Sequence, residues 1–131
     1  MAGESELAKL VKHLNPELNE GEYVFVSMQN SDMIPRTDII FEFREKEGTT
    51  LIMERQMAHQ LNLSYDYVAA WITLKIHSSL DVVGLTALFS TELAENGISC
   101  NVVAAYYHDH IFVNQRDKEK AMEVLNSLQT K

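Results

Sequence analysis

Between residues 77 and 84 the chain reads HSSLDVVG, a polar stretch that closes on glycine and feeds an apolar helical stripe. A strand that bends into a helix start leaves backbone N–H groups without intrahelical partners. Those groups and the helix dipole attract an anion such as a carboxylate. Gly84 lets the backbone come close to a ligand with no side chain in the way. Asn101, near the start of a later strand, carries an amide that donates to a carboxylate or accepts from an ammonium group. A purely structural account uses the same residues. In it Ser79 or Asp81 caps the helix, Gly84 packs on the sheet and Asn101 bonds to nearby backbone. Capping by Ser79 or Asp81 is expected in both accounts.

Other residues with chemical potential lack completing partners. His108-Asp109-His110 places two imidazoles at i and i+2, which on an extended segment point the same way. A zinc site wants three or four protein ligands, and His13, His59 and His77 are too scattered to supply them. The trio reads better as a hairpin turn, so no metal and no cofactor are expected. Glu45, Glu47 and Glu54 flank a charged turn with Arg44 and Lys46, which reads as a solvated hairpin rather than an acid–base pair. Phosphate-loop glycines, a GxSxG elbow and paired metal-ligand cysteines are all missing, so the chain is read as no enzyme. Tyr106 and Tyr107 are expected to send one ring into the core and one to an interface or pocket wall.

Composition narrows the partners. The formal net charge of −8 opposes binding to phosphate backbones and to anionic membrane surfaces, so no nucleic acid and no membrane are expected. Cys100 is the only cysteine, which excludes an intrachain disulfide; its apolar surroundings suggest a buried, inert thiol. The first residues, MAGESELAKLVKHL, are amphipathic without a charged leader and apolar h-region, and no run is long enough to span a bilayer. A cytoplasmic location is the resulting expectation.

The elements that must position these residues are legible as periodicity. Leu7, Leu10, Val11 and Leu14 form one face of a short helix, stopped by Asn15-Pro16. Residues 23–28 alternate as a strand, and residues 30–36 form a loop. A strand over residues 38–44 puts Ile39, Phe41 and Phe43 on one face. The turn Glu45-Lys46-Glu47-Gly48 follows, glycine supplying positive φ, then a strand over 49–53 and a helix over 56–61. The second half gives a strand over 68–76, a helix over 82–95 stopped by Gly97, strands over 98–107 and 111–114, and a helix over 117–128. In the first of these strands Ile72, Leu74 and Ile76 share a face, so its sheet is covered on one side and partly open on the other.

The halves repeat. DIIFEFREKEGTTLIMERQMAHQL aligns with CNVVAAYYHDHIFVNQRDKEKAMEVL, and YVFVSM with WITLKI. The first half has only a loop where the second has a full helix, and the N-terminal helix is expected to cover that bare patch. Two domains follow, residues 1–66 with the first helix missing and an N-terminal helix added, and residues 67–131.

Residues 71–113 carry a resemblance, through Ser78-Ser79-Leu80-Asp81, Val83-Gly84-Leu85 and Gly97-Ile98-Ser99-Cys100-Asn101-Val102. The pattern resembles an ACT domain, the ferredoxin-like βαββαβ regulatory module. The whole chain is similar to small tandem-ACT proteins, which resemble the regulatory region of aspartokinases. The resemblance implies an α+β fold of two ferredoxin-like halves, each an antiparallel sheet with helices packed on one face. It also implies a regulatory module that binds a small molecule, most often an amino acid, and that forms a homodimer. The candidate site is then Ser78, Ser79, Leu80, Asp81, Val82, Val83, Gly84 and Leu85 with Asn101 and Val102. The alternative is a ligand-free oligomerisation or protein-interaction module that uses the open sheet face and strand edges.

Overall fold

The computed structural model describes residues 2–76 and 82–130, with side chains from Leu7 onward. It is an α+β protein whose residues group into two compact units, Gly21–Ala69 and Met1–Glu20 with Ala70–Lys131.

The discontinuous unit contains α1 (Ala2–Lys12) and β1 (Pro16–Leu18) from the start of the chain. To these it adds most of β5 (Val68–Leu74), then α3 (Leu85–Glu95), β6 (Asn101–Ala104), β7 (Asp109–Asn114) and α4 (Lys118–Leu128). Its strands neighbour one another in the order β1-β5-β7-β6. β1 is antiparallel to β5 with Leu18 opposite Ile72, and β6 is antiparallel to β7 with Asn101 opposite Phe112. One face of this sheet, carrying Ala70, Ile72, Leu74, Ile111 and Val113, packs under all three helices. The helices contribute Val11 and Leu14, Leu85, Phe89 and Leu93, and Ala121, Val124, Leu125 and Leu128. Burying each such aliphatic side chain contributes about 1.5–3 kcal/mol.

The N-terminal helix was expected to cover the first half of the repeat. Instead Leu7, Leu10, Val11 and Leu14 join the core of the second half. A backbone reason is visible. Asn15 adopts φ +47, a left-handed angle that asparagine tolerates, and the chain turns straight into β1 along β5. The periodicity gave no sign of β1, because three residues beginning with proline carry no alternation.

The inserted unit contains β2 (Tyr23–Met28), β3 (Phe41–Arg44), β4 (Thr49–Glu54) and α2 (Arg55–Gln60). The order β3-β4-β2 is antiparallel throughout, and Tyr23 and Val24 also pair with Ala69 and Val68. Val24, Val26, Ile34, Leu51, Met53 and Ala58 form its apolar cluster. Between β2 and β3 the only helical element is a 3-10 turn, Arg36–Asp38. The strand expected over 38–44 starts at Phe41. Ile39 therefore packs into the cluster, while Phe41 and Phe43 stack on each other with centroids 6.2 Å apart.

The two hairpins superimpose in register. Glu45 N donates to Gly48 O at 3.0 Å, and Ala105 N donates to His108 O at 3.1 Å. Phe41 is opposite Ile52 just as Asn101 is opposite Phe112. The alignment of sequences had set Ile39 beside Asn101; the ladders set Phe41 there. Gly48 supplies the expected positive φ, +159, a conformation that L side chains rarely adopt. It also allows close approach, since a Cβ would lie 3.1 Å from Ser27 Oγ and 3.3 Å from the Met28 carbonyl.

Candidate functional site

The helix that follows the polar turn starts later than its apolar stripe suggested. α3 begins at Leu85, and its N-cap is Gly84 at φ +94, not Ser79 or Asp81. A left-handed cap ends the helical angles there, so Val82 and Val83 stand outside the helix. Gly84 lacks a side chain, and no carboxylate lies in the first turn. Gly84 makes no side-chain hydrogen bond to the N–H groups of that turn. At the other end α3 closes with Gly97 at φ +75. Ile98 N bonds to Leu93 O at 3.0 Å and Gly97 N to Ala94 O at 2.9 Å, a Schellman motif.

Of the predicted site residues, Ser78, Ser79, Leu80 and Asp81 lie outside the described residues. Leu85 is buried in the helix-facing core, and Val82 and Val102 pack against that core. Val83 is 88% exposed beside the helix start. A Cβ on Gly84 would meet only Leu7 Cδ2 at 3.6 Å, an ordinary contact, so space is not what demands glycine there. The positive φ is.

Asn101 stands apart from its neighbour Val102. Side chains alternate along a strand, and residues directly opposite share a face. Val102 is opposite Ile111 on the helix face, so Asn101 and Phe112 share the other. The Asn101 side chain is exposed, and its Nδ2 reaches the Phe112 carbonyl at 3.4 Å, a long contact that leaves the amide weakly held.

This second face carries a polar–aromatic network that periodicity did not reveal. Trp71 lies nearly parallel to Phe112, with centroids 6.2 Å apart and planes 18° apart. Trp71 Nε1 donates to His110 Nδ1 at 3.0 Å, and Thr73 Oγ1 lies 3.1 Å from the same nitrogen. Asn19 Nδ2 donates to Thr73 Oγ1 at 2.9 Å and to the Trp71 carbonyl at 3.2 Å. An indole N–H can only donate, so His110 accepts at Nδ1 and is neutral, with its proton on Nε2. Burial lowers the His110 pKa, the charge of His108 lowers it further, and Asp109 opposes both. Alternation around Trp71 and Thr73 was the available signal. It could place them on the less covered face but not bring His110 and Asn19 to them across the sheet.

Several other expectations resolve on the same hairpin. His108 closes the turn, while Asp109 and His110 already belong to β7, and the two imidazoles meet edge to face at 6.4 Å. Among the described residues no three His, Cys, Asp or Glu side chains converge on a point that could hold a metal. Neither Tyr106 nor Tyr107 enters the core; they are 82% and 63% exposed and touch each other edge to face. Cys100 is half-buried, and burial pushes its thiol up to about 11. Among the described residues no helix is long and apolar enough to cross a membrane.

Sequence comparison finds the ACT domain twice, over residues 2–70 and over residues 67–127. No curated protein sequence matches the chain. Among solved structures, a Vibrio cholerae protein of unknown function, described as a possible transport protein, shares 41% identity. The match covers 97% of this chain and 98% of that one, with a TM-score of 0.87. A putative C-terminal regulatory domain of aspartate kinase from Porphyromonas gingivalis is 14% identical, with a TM-score of 0.56 over 88% of this chain and 96% of that one. A chain from the structure of aspartokinase alpha and beta subunits is 10% identical, with a TM-score of 0.61 over 88% of this chain and 97% of that one. At those two identities the likeness is one of fold.

Proposed function

The chain belongs to the ACT-domain family, and from that premise we propose that it is a non-catalytic regulatory module, acting in the cytoplasm, that binds an amino acid. The observation that carries this reading is the start of α3, where Gly84 caps the helix without a side chain. Orphan N–H groups at a helix start suit a carboxylate. The ligand sits between the 78–85 segment and the amide of Asn101, at a seam between two copies of the chain. β6 pairs with β7 on one side and supports this arrangement as a strand at the sheet edge. Ligand binding then acts through different affinities for two packings of that seam.

A thermal-shift screen of the common amino acids tests this. A ligand at about 100 times its Kd stabilises by about 2.7 kcal/mol. For a chain of this length that raises the midpoint by several degrees, at roughly 3 °C per kcal/mol. Asn101→Ala should abolish the shift. A flat response across the whole panel would remove the ligand from the reading.

The exposure of Val83, Tyr106 and Tyr107 supports a second reading, a ligand-free interaction module. It predicts a stable dimer that no amino acid stabilises further. Solution size measured beside the thermal screen separates the two.

A further inference from the structure

In the inserted unit, which does not contain α3, two charged or basic side chains of α2 converge on one phenol oxygen. Arg55 and His59 stand four residues apart on α2, so they share a face of the helix. Tyr65 follows in the connection between α2 and β5. That connection is fixed on the helix end. Asn62 turns it at φ +54, Leu63 N bonds to Ala58 O at 2.8 Å, and Tyr65 packs against the apolar cluster. Arg55 Nε donates to the Tyr65 hydroxyl oxygen at 2.7 Å, and His59 Nε2 lies 2.6 Å from the same oxygen. Glu22 steadies the guanidinium, accepting from Arg55 Nη1 at 3.0 Å.

The proton bookkeeping is constrained. A guanidinium can only donate, so Arg55 takes a lone pair of the phenol oxygen. The single phenol proton is left for His59, whose Nε2 lone pair accepts it while the ring's own proton sits on Nδ1. The Tyr65 and His59 rings stack with centroids 5.6 Å apart and planes 21° apart, and Arg55 Cζ stands 5.6 Å from the centre of the Tyr65 ring. A base within hydrogen-bond reach takes the proton of a hydroxyl as its oxygen attacks. A cation bonded to that oxygen stabilises the negative charge that develops on it. A staple for the loop needs a hydrogen bond. It does not need a base and a cation on the same oxygen.

We propose that Tyr65 is a nucleophilic tyrosine, a covalent site for a small activated acyl donor such as an acyl phosphate, with His59 as general base and Arg55 stabilising the attacking oxygen. The Tyr65 oxygen bonds to the acyl carbon as its proton passes to His59 Nε2. The bond from that carbon to the leaving group breaks, the electron pair departs with the leaving group, and His59 returns the proton to it. The products are the Tyr65 ester, the protonated leaving group and a neutral His59. His59 is exposed and Tyr65 only half-buried, which favours a small donor.

The test treats the full chain with N-acetylimidazole, a tyrosine-directed acyl donor whose leaving group is imidazole. Peptide mass spectrometry locates and times each acetylation. If exposure alone governed the reaction, Tyr106 and Tyr107, 82% and 63% exposed, would react first. Activation instead makes Tyr65 about tenfold or more faster than either. His59→Gln and Arg55→Met should each slow Tyr65 about tenfold or more and leave the Tyr106 and Tyr107 rates unchanged, with circular dichroism verifying the fold. The proposal is overturned if Tyr65 of the wild-type chain reacts no faster than Tyr106 and Tyr107, a comparison that needs no variant. It is equally overturned if either folded variant keeps the wild-type rate at Tyr65.

Discussion

At the scale of single residues, His110 holds the clearest conditional chemistry. Its Nδ1 accepts from Trp71 Nε1–H, an arrangement that exists only while the ring is neutral. Burial first, and His108 second, hold its pKa below the ordinary value of 6.5. The sign follows from linkage. Below about pH 6.5 the unfolded chain takes up the proton before the folded one. The contribution of His110 to stability is therefore complete above that pH and is lost as pH falls through the folded-state pKa. Asp109, raised by burial, has the opposite sign and loses its contribution as pH rises. Because Trp71 is the sole tryptophan, its emission reports the His110 event directly. Emission should change on acidification with a midpoint below 6.5, and His110→Asn should remove the transition. A midpoint at or above 6.5 would contradict the assigned neutral ring.

Cys100 gives a second residue-scale outcome. With its thiol pushed up to about 11, little thiolate is present at pH 8. Alkylation of the folded protein should run on the order of a hundredfold slower than that of the unfolded chain, where the thiol has pKa about 8.5. The partial burial of Cys100 was readable from its apolar neighbours. The His110 network was not, because Asn19, Trp71, Thr73 and His110 are distant in sequence and meet only through the β5–β7 pairing.

At the scale of elements, two helices end in the same way with different residues. α3 stops at Gly97 at φ +75. α2 stops at Asn62 at φ +54, where Leu63 N bonds to Ala58 O at 2.8 Å and Asn62 N to His59 O at 3.2 Å. A Cβ on Gly97 would have no heavy atom within 4 Å, so the cost of Gly97→Ala is conformational alone. It should be about 1 kcal/mol, because a Cβ is forced into the left-handed region; Asn62→Ala should cost less than about 1 kcal/mol, because asparagine already carries a Cβ there and only the local hydrogen bonding of its polar side chain is lost. Asn62→Gly should stay within about 0.5 kcal/mol of wild type, glycine and asparagine both being at home there. Denaturant midpoints at constant slope measure all three. Gly97 announced its stop in the sequence. The onset of α3 did not, because the apolar stripe runs on through Val82 and Val83 and only the angles of Gly84 end the helix.

At the scale of the whole molecule, the chain leaves one compact unit at Glu20 and re-enters it at Ala70. The first and last elements therefore share a core, and Leu14 is among its most completely buried side chains. Leu14→Ala should destabilise that unit by about 2–5 kcal/mol, the usual range for emptying a buried leucine site. Calorimetry measures it. Removing residues 1–15 should cost more still, since Val11 and Leu14 leave the core together with α1; unchanged stability after that truncation would contradict the packing of α1.

What the sequence determined by itself was whatever rests on local periodicity and backbone preference. The strands, the helices, the Gly97 stop, the doubled pattern and the family resemblance all come from spacings of two, three and four residues. The tertiary structure alone decided which core received α1, that Pro16–Leu18 would be a strand, that Phe41 rather than Ile39 would match Asn101, and that Asn101 would face away from Val102. Those outcomes depend on register and on pairing between distant segments. Shifting a ladder by one residue turns every side chain to the other face while leaving the local pattern unchanged.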